Sequence, residues 1–87
     1  MKIQLWDEVF PLGNQGVLLF TDHLDEALLP GFSMEDARGR VHRVSRAEAQ
    51  EDWFALLVEN GDAAYFERLF RDVRVDALKM EVLSACL

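Results

Sequence analysis

Two groups of residues have the types and spacing to do chemistry. Thr21-Asp22-His23-Leu24-Asp25-Glu26 sets one imidazole among carboxylates. His23 with Asp22, Asp25 or Glu26 could hold a divalent cation, or His23 could act as a general base tuned by Asp22. Against that, the chain has only two histidines. No His-x-x-x-His or Cys-x-x-Cys spacing supplies a second anchored ligand. A solvated strand end running into a turn accounts for the same residues and is the stronger reading.

Arg38, Arg40, Arg43 and Arg46 form the second group. Residues 38–46 carry +4, whereas 1–37 carry −6 and 47–87 carry −5. Such an island could hold phosphate, an RNA backbone or an acidic protein partner. Pairing across strands with nearby Asp and Glu explains it more simply. His42 lies among these arginines, whose like charge discourages both a metal ion and an added proton. Ser33, Ser45 and Ser84 lie outside any Gly-x-Ser-x-Gly context, which removes support for a serine nucleophile. Cys86, the single cysteine, has no partner for an internal disulfide. Trp6 with Phe10, and Tyr65 with Phe66 and Phe70, read as core rather than as a cofactor box. No cofactor is called for, and the expectation leans away from an enzyme.

The elements that must position these residues are short. Pro11-Leu-Gly13-Asn-Gln-Gly16, Leu28-Leu-Pro30-Gly31, Asp36-Ala-Arg-Gly39 and Asn60-Gly61-Asp62 are turn signals, because these residues tolerate or preset the φ angles that turns need. Between the early turns, candidate strands run over 2–10, 16–24, 31–36 and 40–45. The 31–36 and 40–45 strands would join as a hairpin. Val41 and Val44 have opposite parity, so a bulge or twist is expected between them. The second strand is apolar on both parities, as if covered on two sides. Ser45-Arg-Ala-Glu48 is a capping-box pattern that could open a helix over 46–58. The aromatic and apolar density of 52–59 favours a strand there, which leaves 46–51 as a loop or short helical turn. Asp62 is a suitable N-cap for a helix over 62–73, with Phe66, Leu69, Phe70 and Val73 along one face. Residues 74–84 alternate as a final strand. The expected fold is mainly β with some α: a small antiparallel barrel or strongly curved sheet of five to six strands, with one short amphipathic helix near 62–73.

At 87 residues, with 51% hydrophobic and 29% charged, the composition is that of one globular domain. The net charge of −7 excludes a generic binder of duplex DNA or of anionic membranes. The longest apolar run, Trp53 to Val58, is far short of the roughly 20 residues of a membrane span. Residues 1–5 are too short and polar for a signal-peptide core. With a lone thiol, this points to the cytoplasm.

Val9-Phe10, Gly13-Asn-Gln-Gly16-Val17, Leu29-Pro-Gly31 and Asp36-Ala-Arg-Gly39 form a spaced series over about residues 3–44. The series resembles the small β-barrel second domain of elongation-factor-type translation GTPases. In that barrel a strand leads through a Gly-x-x-Gly-like turn to a second strand, and a glycine opens the third. The resemblance implies a barrel shape and a role in docking to other macromolecules. No Gly-x-x-x-x-Gly-Lys-Ser/Thr loop is present, so it implies no nucleotide site.

The expected function is a non-catalytic interaction module, self-associating or docking on another protein. The alternative is a small-ligand or divalent-metal protein built on His23. Apolar residues on both parities of Val17–Phe20 and Trp53–Val58 exceed what one helix can cover. A homodimer is therefore expected, with nucleic acid disfavoured and no membrane.

Overall fold

The structure is a computed structural model that describes residues 1–73 and 78–85. Among these residues, seven strands and one α-helix follow in the order β1 (Lys2–Gln4), β2 (Phe10–Pro11), β3 (Val17–Thr21), β4 (Phe32–Glu35), β5 (Val41–Ala49), β6 (Phe54–Val58), α1 (Ala63–Val73) and β7 (Lys79–Ala85). All pairings are antiparallel, in one sheet ordered β1-β7-β4-β5-β6-β3-β2. The mainly β reading with one helix holds. The strand count is seven rather than five to six, because the single strand expected over 2–10 is divided.

The division has a local cause. After Gln4 the chain leaves β7 and makes one bridge, Leu5 to Thr21. The Trp6 N–H donates to the Phe20 carbonyl at 2.8 Å. Asp7 and Glu8 then stand in solvent, and Phe10-Pro11 pairs with Leu18-Val17. Pro11 has no N–H for a ladder and sits where that matters least, on an edge strand.

The 46–51 segment is corrected. Instead of a loop or helical turn, β5 continues to Ala49 and pairs with β6 from Val44–Val58 to Ala49–Phe54. The capping-box pattern is overridden because β6 lies alongside and pairs with Arg46 to Ala49, which outweighs a weak local preference. The bulge also lies elsewhere than expected. Val41 is exposed and Val44 buried, which plain alternation allows. The register shifts between Val44 and Arg46, so that His42, Val44 and Ala47 all face inward. Gly31 is needed at this bulge. With φ at +134°, a Cβ there would lie 2.8 Å from the Ser45 carbonyl oxygen and 2.9 Å from that of Val44.

The inner face gathers one core: Ile3, Leu5, Val17, Leu19, Phe32, Met34, Val44, Leu56, Val58 and Met80, with Phe66, Leu69 and Phe70 from α1. The helix starts where expected. The Asp62 side chain accepts from the Ala64 N–H at 3.0 Å, satisfying one of the free amides of the first turn. The outer face of β3 is less covered than expected, since Leu18 and Phe20 stay half-buried. No helix among the described residues is long and apolar enough to cross a membrane. Cys86, and the part of the expected final strand over 74–77, lie outside the described residues.

Candidate functional site

Two features stand out, an apolar outer face and a buried polar knot. The face forms because the registers align outward positions of adjacent strands. Leu18 lies beside Leu57, and Phe20 beside Ala55. Trp53 shares the outward parity of Ala55 and Leu57 at the head of β6. The Trp6 ring stacks on Phe20 at 5.6 Å and meets Trp53 at 5.5 Å, while Phe20 and Trp53 meet edge-on at 5.7 Å. The Trp6 indole N–H donates to the Asp22 carboxylate at 2.9 Å, which pins that ring. A shallow hollow of about 270 Å³ runs between Leu12, Leu18, Phe20, Trp53 and Leu57, with Arg46 and Glu48 at its rim. Phe10, 55% exposed, extends the apolar area onto the β2 edge. Sequence reading placed Trp6 and Phe10 in the core. Trp6 is instead half-buried and Phe10 exposed, because the inner parity of this stretch belongs to Ile3 and Leu5.

The polar knot centres on Asp36, 5% exposed, at the β4–β5 turn. One carboxylate oxygen accepts from the N–H groups of Arg38 at 2.8 Å and Arg40 at 3.0 Å. The other accepts from Tyr65 Oη at 2.5 Å and from His42 Nε2 at 2.7 Å. Burial pushes the Asp36 carboxyl toward its neutral form. The donors from Tyr65, His42 and the two turn amides outweigh this and hold its pKa below the ordinary value of 3.8. Burial, the hydrogen bond to Asp36 and the Asp36 charge raise the Tyr65 pKa above 10.0, opposed by the charges of Arg40 and Arg38. The Arg40 guanidinium lies 4.4 Å over the Tyr65 ring. Four filled acceptor positions make this knot a clasp that ties a turn to β5 and to α1. Sequence reading missed Asp36 and His42 as partners. The usable signal was the inward parity of His42 beside Val44, which demands a buried hydrogen-bond partner.

Asp22 accepts from Trp6, and the Asp25 side chain accepts from the Ala27 N–H at 2.9 Å, capping a 3-10 turn over Glu26–Leu28. His23, Asp25 and Glu26 are exposed. Among the described residues, no group of three or more His, Cys, Asp or Glu is arranged to hold a metal ion. The arginines are spread along the hairpin and engaged singly. Arg38 pairs with Asp72 at 3.1 Å, Arg43 with Glu59 at 3.1 Å and Arg46 with Glu48 at 3.3 Å, while Arg40 covers Tyr65. His42 faces a carboxylate at 2.7 Å, where the sequence suggested only arginines. Comparison of the chain with protein-family models, curated proteins and solved structures finds no match.

Proposed function

We propose that this chain is a non-catalytic, cytoplasmic interaction module that docks on a protein through the outer face of β5, β6 and β3. The observation that carries the reading is the Trp6–Phe20–Trp53 cluster, held on the outside with Leu18 and Leu57 beside it. Rigid aromatic groups around a small apolar hollow are the usual anchors of protein interfaces, because they bury much area at little entropic cost. The acid-paired arginines and the net charge of −7 weigh against nucleic acid as the partner.

The docking role agrees with the resemblance to the second-domain barrel of translation GTPases. A barrel-like curl is supported by the Leu5–Thr21 bridge, through which chain leaving the β1 edge reaches β3 near the other edge. The test is site-specific photo-crosslinking in the cell that makes the protein, with the probe at Leu18 or Leu57 and a control probe at exposed Glu67 on α1. Protein adducts from the two sheet positions and none from the helix are expected. Failure of both Leu18 and Leu57 probes to capture any protein would refute the reading.

A further inference from the structure

The outer face carries two rows of side chains set by strand register. Arg46, Leu57 and Leu18 lie side by side in one row. Glu48, Ala55 and Phe20 form the next. Between the rows, pointing inward, lie the buried residues Ala47, Leu56 and Leu19. We propose that this face binds a second copy of the chain, face to face, about a two-fold axis crossing the three strands at the level of Leu56. The assignment rests on the docking reading and names its partner.

A two-fold axis lying in the interface carries each row onto the other. Arg46 then meets Glu48 of the second copy, and Glu48 meets its Arg46. Leu57 falls opposite Ala55, which lines the hollow, and Leu18 opposite Phe20, so apolar faces apolar in both pairs. A two-fold axis along the strands would instead set β5 against β3. That would press Arg46 and Glu48 onto Leu18 and Phe20 and desolvate both charges without new partners. The crosswise axis also leaves the strands of the two sheets roughly aligned, which is how sheets pack face to face.

Charge and exposure agree. A chain of net charge −7 repels its own copies over most contacts. These two rows carry one positive and one negative group, and so match themselves. Leu18, Phe20, Trp53 and Leu57 are only half-buried in the single chain, so each keeps apolar surface for a second copy to cover.

The test is light scattering under reducing conditions, combined with charge exchange. At micromolar concentration the wild type should show twice its 10.0 kDa chain mass. Arg46→Glu sets like charges against Glu48 of the second copy, and Glu48→Arg does the same with Arg46. Each variant should weaken the dimer by at least about tenfold. Both side chains are well exposed, at 64% and 57%, so the fold should tolerate either change. Mixing the two variants should restore a dimer, because every facing pair becomes opposite in sign. The chain carrying both changes should dimerise unaided. A monomeric wild type across the micromolar range would overturn the proposal. In that case Leu18 and Leu57 adducts with another protein would leave the docking reading standing, and their absence would end both. A dimer indifferent to both reversals would overturn this arrangement.

Discussion

Asp36→Asn tests whether the buried knot holds the hairpin turn to the helix. Asparagine keeps the shape and can still accept from the Arg38 and Arg40 amides through one oxygen. Its NH2 group would then face Tyr65 Oη and His42 Nε2, both of which donate to the native carboxylate. Two charge-assisted bonds are lost or must be inverted. At about 1.5–3 kcal/mol for each bond to a charged group, and with partial rescue by rotation of the tyrosine hydroxyl, the expected loss is about 2–4 kcal/mol. For a domain of this size that lowers Tm by about 10–25 °C. Urea titration at neutral pH, followed by circular dichroism, measures it. The pH dependence supplies a second reading. The folded Asp36 pKa is depressed, so its contribution is complete above the unfolded value near 3.8 and drains away as pH falls through the folded value. The stability gap between wild type and Asp36→Asn should therefore be constant near neutrality and narrow below about pH 4. A loss under about 1 kcal/mol, or a gap that does not change with acid, would refute the argument.

Other outcomes follow from the same contacts. Tyr65→Phe should cost about 1.5–3 kcal/mol, since it removes one hydrogen bond to the Asp36 carboxylate and keeps the ring under Arg40. Because the Tyr65 pKa is raised in the folded state, its contribution is full below about pH 10 and is lost above the folded value. Only the wild type should show that alkaline decline in thermal melts. Phe70→Ala should cost about 3–5 kcal/mol in denaturant titration, because the side chain is buried in the core; a loss near 1 would place it on the surface. Gly31→Ala should cost about 1–3 kcal/mol, since its Cβ would press on the Ser45 and Val44 carbonyls at an unfavourable φ. Arg38→Ala, which breaks only an exposed pair with Asp72, should change stability by less than about 1 kcal/mol by the same measurement.

Much of the architecture was legible one residue at a time. Glycine, proline and Asn-Gly turns marked where strands end, because the φ angles they permit are local properties. The helix over 62–73 was legible because one N-cap and one apolar stripe are short-range patterns, and α1 begins one residue inside that range. The chain's acidity and its single cysteine likewise needed no fold to be read. What only the tertiary structure decided depends on neighbours distant in sequence. Residues 46–49 became strand because β6 lay alongside, against the helix signal of Ser45 and Glu48. Leu18 came to lie beside Leu57 through register, and Trp6 beside Phe20 and Trp53 through the bridge of Leu5 to Thr21, and only together do these make an outer apolar face. Asp36, His42 and Tyr65 carry no motif between them. They meet because a hairpin turn, an inward strand position and a helix close on one point, where a buried imidazole must find its hydrogen-bond partner.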